Sequence, residues 1–177
     1  SDAVLSAMKR NHSAEDYLQR IRKLKAARPD IHISSDFIIG FPNESDDDFI
    51  ATMNLIAEVD YDHSYSFIYS KRPGTPAAEL VDSISDNTKK ERLNLLKARI
   101  KQNTERKTRA MMGTTQRVLV EKLSERDPEY MMGTAENTRL VLLPAQPELL
   151  GHFVDVVIDE IISINTVRGQ KIAWTER

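Results

Sequence analysis

The sequence predicts an α/β segment, then one long helix, then a small all-β barrel of oligonucleotide-binding type. Three observations carry this reading. Over the first 80 residues helical and strand patterns alternate, the signature of a parallel sheet with crossover helices. A helical segment over residues 87–112 follows without interruption. After Gly113 the periodicity switches to five short β runs punctuated by Gly, Pro and Asn turns, which suits a small closed barrel. The domains expected are therefore 1–112 and 113–177.

In order along the chain, Leu5 and Met8 open a short helical pattern. The chain has no initiator Met and reads as the middle of something longer. Ser13 followed by Asp16 resembles a capping arrangement, and Leu18, Ile21 and Leu24 recur at helical spacing until Pro29 stops the helix. Residues 31–39 read as a strand. Ser45 caps a second helix, with Asp46, Asp47 and Asp48 at the positive end of its dipole and Phe49, Met53 and Ile56 as its buried stripe. A second strand over 62–69 runs into the turn-rich Arg-Pro-Gly-Thr-Pro. Two parallel strands need covered faces and edges, so the rest of this sheet is expected on the N-terminal side. Leu93, Leu96 and Ile100 give the long helix a narrow apolar stripe. The later strands are expected over 115–121, 130–134, 139–143, 153–162 and 166–174.

Composition bounds the chemistry. The 177 residues are 40% apolar and 29% charged, with a formal net charge of −2, so no global basic signal points to nucleic acid. No stretch reaches the about 18 apolar residues of a membrane helix and no signal peptide is legible, so a cytoplasmic, non-membrane protein is expected. There is no cysteine, which removes disulfides, thiolate catalysis and thiolate-held clusters from these residues. The four histidines lack metal-ligand spacing, and no metal site is expected within the chain. Charge is nonetheless uneven. The long helix carries Lys89, Lys90, Arg92, Lys97, Arg99, Lys101, Arg106, Lys107 and Arg109 against Asp86, Glu91 and Glu105. That is either a solvated connecting helix or a phosphate-facing stripe. The β segment is mildly acidic, so RNA contact there needs a local cluster such as Asn137 and Arg139.

Ligands of open α/β sheets and barrels sit beyond the carboxyl ends of the strands. Three stretches end there: residues 1–10, 36–45 and 69–77. Gly40 and Pro42 allow close backbone approach in a rigid turn, Asp36 can accept from sugar hydroxyls, and Arg10 can grip a carboxylate. No phosphate-binding loop is present. Together these suggest a nucleoside carrying an amino-acid group, although Gly-Phe-Pro taken alone reads as a mere tight turn.

In order, SDAVLSAMKRNH, SSDFIIGFPNES and FIYSKRPGTPAAEL, then a basic helix and a small barrel, resemble the C-terminal part of a radical S-adenosylmethionine methylthiotransferase of the MiaB type. The resemblance spans essentially the whole chain. It implies the end of a radical SAM (β/α) barrel, followed from about Gly113 by the RNA-binding barrel called the TRAM domain. It implies addition of a 2-methylthio group to isopentenyl-adenosine beside the tRNA anticodon. The cofactors implied are S-adenosyl-L-methionine and two iron–sulfur clusters, whose six cysteine ligands would lie before Ser1, leaving this chain inactive alone. In that chemistry a deoxyadenosyl radical abstracts hydrogen from the adenine ring and a cluster sulfur, methylated by a second S-adenosylmethionine, is inserted. The expected partners are tRNA and the N-terminal part of the same protein, in a monomer.

By resemblance Arg10 meets the cofactor carboxylate, Asp36 lies near the ribose, and Gly40, Phe41, Pro42 and Glu44 form the loop beside the adenine. Asn43 and Ser45 replace the Gly and Thr usual in that loop; both are mild changes, since Asn tolerates left-handed backbone and Ser also caps. Arg72, at the mouth of the barrel, suits RNA phosphate and the tRNA-modifying branch. The RNA-contacting set is then Arg72, Lys97, Lys101, Arg106, Asn137 and Arg139. Enzymes acting on threonylcarbamoyladenosine tRNA or a ribosomal protein, and a non-catalytic RNA-binding module, are the alternatives.

Overall fold

A computed structural model describes residues 1–172 and forms two compact units, Ser1–Asn103 and Thr104–Arg177. The sequence places the break after Met112. The division falls earlier because Thr104, Thr108 and Met111 are buried with the second unit.

The first unit begins with helix α1 (Asp2–Ala7), capped by the Ser1 hydroxyl, which accepts from Val4 N. Helix α2 (Ala14–Ala27) opens on a complete capping box: Ser13 accepts from the Asp16 backbone and the Asp16 carboxylate accepts from Ser13 N. Helix α3 (Asp46–Val59) repeats the device with Ser45 and Asp48, and ends on Asp60 in the left-handed region at φ 57°. Between them lies strand β1 (Ser34–Ile39), and after α3 comes β2 (His63–Ile68), paired in parallel from Ser34↔His63 to Ile39↔Ile68. The paired register of β1 begins at Ser34, three residues after the start of the apolar run, with Ile33 O still accepting from Asp62 N at 2.8 Å just outside it.

One face of this sheet is packed. Phe37 and Ile39 meet Ile21 of α2, Phe49, Ile56 and Val59 of α3, and Leu96 and Ile100 of helix α4 (Asp86–Arg109). Tyr61 closes the cluster, edge-on to Phe37 with ring centroids 5.3 Å apart, and its hydroxyl donates to Tyr17. The other face is open: Asp36 and Ile38 lie beside Tyr65 and Phe67, whose exposures are 68% and 57%. Strand periodicity alone puts these four residues on one side.

The second unit is a closed five-stranded barrel in the order β3-β4-β5-β7-β6, made of β3 (Thr115–Leu123), β4 (Tyr130–Ala135), β5 (Leu140–Pro144), β6 (Phe153–Ser163) and β7 (Thr166–Lys171). The parallel β5–β7 pair and the β3–β6 closure are the connections of an oligonucleotide-binding-type barrel. Alternation sends Val118, Val120, Val141, Leu143, Val154, Val156, Ile158 and Val167 inward to form the core. The last strand ends at Lys171; Trp174, which the sequence reading included, lies outside the described residues.

Candidate functional site

The carboxyl ends of β1 and β2 open on a cleft of about 620 Å³ lined by Met8, Arg10, Ile38, Phe41, Phe67, Tyr69 and Arg72, among others. A second, smaller hollow of about 280 Å³ adjoins it, sharing Met8, Arg10 and Ile38 and adding Asp36. Arg10 is thus common to both; the smaller also takes in Tyr17, Phe37 and Tyr61 of the packed side, while the larger lies along the open face of the sheet. Its volume is in the range of small-molecule sites. The cation Arg10, the strand carboxylate Asp36 and the apolar side chains of Ile38, Phe41 and Phe67 are the kinds of group that an adenosyl amino acid needs. The residues present therefore fit S-adenosylmethionine. They supply nothing for an iron–sulfur cluster: the sequence has no cysteine, and among the described residues there is no cluster of potential metal ligands.

The turn after β1 shapes one wall of the cleft. Gly40 and Asn43 adopt φ of 71° and 68°, and Glu44 N donates to Phe41 O at 2.9 Å. Phe41 is buried against Tyr69 with centroids 5.1 Å apart, yet part of it faces the cleft. Gly40 and Pro42 are buried and line neither hollow. Gly40 is required for a reason beyond ligand approach: a Cβ there would stand 2.6 Å from Lys89 Cγ.

Glu44 has a structural task that the sequence did not reveal. Its carboxylate is 4% exposed and faces the protein, accepting from Gly40 N at 3.1 Å and from Arg92 Nη1 at 2.8 Å. It braces the loop, and the residue also lines the smaller hollow. Burial pushes its carboxyl above the ordinary value, and the Arg92 guanidinium and Gly40 N–H oppose that rise.

The basic stripe of α4 is also not continuous. Lys89 and Arg92 are inside, paired with Asp82 and with Glu44 and Asp46 respectively. Lys97 and Lys101 are exposed one turn apart, and Arg106 is exposed in the portion of the helix belonging to the second unit. Arg72 is exposed and lines the cleft itself.

Asn137 and Arg139, expected to touch RNA, do not face solvent. Arg139 is 0% exposed and Asn137 6%. Arg139 Nε donates to Thr108 Oγ1 at 3.0 Å, Nη1 to Asn137 O and Nη2 to Thr104 O, both at 3.3 Å. Asn137 accepts from Arg139 N and donates to Met111 Sδ. This polar knot fastens the last turns of α4 into the barrel unit, which leaves neither residue a surface for a phosphate.

Two barrel pairs went unnoticed in the sequence. Arg117 stands 4.7 Å above the ring of Phe153, itself 52% exposed, and Arg168 stands 4.7 Å above Tyr130 while holding Glu160. Their signal was phase: each aromatic sits at an outward position of an alternating strand.

The comparisons with known proteins agree with this geometry. Residues 1–56 match the Radical SAM superfamily and residues 109–172 match the TRAM domain. Together they define a radical SAM segment carrying a TRAM barrel. The chain is 55% identical over 170 residues to tRNA-2-methylthio-N(6)-dimethylallyladenosine synthase of Acinetobacter baylyi, and 52% identical over 172 residues to that of Alteromonas mediterranea. These alignments take in 96% and 97% of the chain but 35% and 36% of the relatives, so the chain spans about a third of their length. Over nearly its whole length the chain is thus similar to about a third of these synthases, with a radical SAM match at its start and a TRAM match at its end.

Proposed function

We propose that this chain forms the S-adenosylmethionine-facing wall and the RNA-holding module of an enzyme that methylthiolates an isopentenylated adenosine in tRNA. The observation that supports it most is that Arg10 lines both of two adjoining hollows, one holding Asp36 and the other Phe41, in a chain so similar to named synthases. Arg10 holds the carboxylate of the cofactor, Asp36 accepts from the ribose, and the aromatic and aliphatic wall of Phe41 and Ile38 flanks the adenine and excludes water. When bound at its cluster, S-adenosylmethionine supplies a radical able to take hydrogen from the substrate base. This chain brings no thiolate ligand, so on its own it is expected to be inactive. A tRNA substrate also suits a cytoplasmic setting, and among the described residues no helix is long and apolar enough to cross a membrane.

In the full-length enzyme, Arg10→Ala and Asp36→Ala should each weaken S-adenosylhomocysteine binding about tenfold, about 1.4 kcal/mol, in calorimetric titration, with the unfolding midpoint unchanged. Wild-type affinity in both would refute the site.

RNA contact divides between charge and stacking. Replacing Lys97, Lys101 and Arg106 by Gln should lower affinity for an anticodon stem-loop and flatten the log–log salt slope by about 2. Phe153→Ala should lower affinity by about 1–3 kcal/mol with the slope kept, because stacking releases no counterions. Filter-binding titrations across salt concentrations read both, and an unmoved slope in the first variant would make α4 a solvated connector.

A further inference from the structure

We propose that Arg92 of α4 is a positioning residue for the adenosyl pocket, acting through the Glu44 carboxylate to fix the turn that presents Phe41. The inference rests on reading the cleft as the S-adenosylmethionine site.

Arg92 is one of the least accessible charges in its unit, with a side chain 8% exposed. A cation on a basic helix has no need to be buried for solubility, and burying one costs more than a surface ion pair returns. Its contacts are all directed to one segment. Nη1 donates to Glu44 Oε1 at 2.8 Å and to Glu44 O at 3.0 Å, and Nη2 donates to Asp46 Oδ1 at 2.6 Å. The guanidinium also stands 5.6 Å from the ring centre of Phe49, which restricts it further. The other Glu44 oxygen takes the Gly40 N–H at 3.1 Å. The carboxylate therefore ties the first residue of the turn to its last, and Arg92 holds that carboxylate from outside.

The turn is one that needs holding. Gly40 and Asn43 both lie in the left-handed region, and the backbone between them carries Phe41 toward the cleft. Lys89, one helical turn before Arg92, lies across Gly40 with its ammonium paired to Asp82, so α4 supports the turn at both ends. Without Arg92, Glu44 is left as a buried carboxylate with one N–H partner, and the stable response is for the turn to open and let it reach water.

The test is calorimetric titration of S-adenosylhomocysteine into the full-length enzyme, with stem-loop affinity and thermal unfolding measured in parallel. Arg92→Met should raise the dissociation constant about tenfold while stem-loop affinity stays within twofold. Adding Glu44→Gln, which keeps the Gly40 hydrogen bond and removes the stranded charge, should recover most of that loss, a coupling that simple loosening of the fold would not produce. If Arg92→Met does not fold, Glu44→Gln and Arg92→Lys carry the test, each expected to weaken binding severalfold with the fold intact. Wild-type binding in Arg92→Met, or in both of those substitutes, while Arg10→Ala weakens it, would overturn the positioning role and leave the pocket standing. Wild-type binding in Arg10→Ala as well would mean that the reading of the cleft had failed first.

Discussion

Arg139→Met is expected to unfold the barrel unit while leaving the first unit folded. The guanidinium is wholly buried and serves Thr108, Asn137 and Thr104 from three different nitrogens. Methionine fills much of the volume but takes the guanidinium donor from Asn137 O and from Thr104 O, which keeps the Thr108 hydroxyl, and breaking a buried charged network costs about 3–5 kcal/mol. That is a large part of the stability of so small a barrel. Arg139→Lys should not rescue it, because one ammonium cannot satisfy acceptors spread around a planar fork. Thermal unfolding followed in the near ultraviolet will show the loss. RNA affinity should fall only with the fraction unfolded, and the salt slope of the folded fraction should stay as in the wild type. A variant of native stability with weaker RNA binding and a flatter slope would restore Arg139 as a phosphate contact.

Gly40→Ala should damage the first unit by two separable routes. A residue with a Cβ at φ 71° costs about 1–2 kcal/mol in the left-handed region. The new methyl would also lie 2.6 Å from Lys89 Cγ and 2.8 Å from Cδ, in the middle of a side chain held at its tip by Asp82. Relieving that overlap means breaking the Lys89–Asp82 pair or moving the turn, for a combined loss of about 3 kcal/mol or more. For a unit of this size that is roughly a 10–20 °C fall in the unfolding midpoint. Lys89→Ala in the same chain should return the steric part and leave the conformational part. A loss below about 1 kcal/mol for Gly40→Ala would show that the turn relaxes freely, and the bracing assigned to α4 would have no basis.

The helices and strands were largely legible along the chain because their causes are local. Ser13 with Asp16 and Ser45 with Asp48 form the boxes their spacing announces, and the β runs after Gly113 alternate as barrel strands must. The cleft residues Arg10, Asp36 and Phe41 were legible too, since the ends of parallel strands and the family resemblance point to the same loops. Strand limits were less so: residues 31–33 are as apolar as a strand requires, yet the paired register begins only at Ser34.

The sequence by itself determined the order of elements, their caps, the period of each core face and the absence of thiolate chemistry. Only the tertiary structure decided what each charge does. Arg92 and Lys97 sit on one helix and read alike as basic residues, yet one is walled in by a glutamate 48 positions earlier while the other stays in water. Asn137 and Arg139 looked like a phosphate cluster until Thr104 and Thr108 were folded over them. Side-chain type fixes what a group can bond to, but burial depends on which partners distant chain segments bring within reach. A buried cation must keep those partners, and only one left at the surface is available to a phosphate.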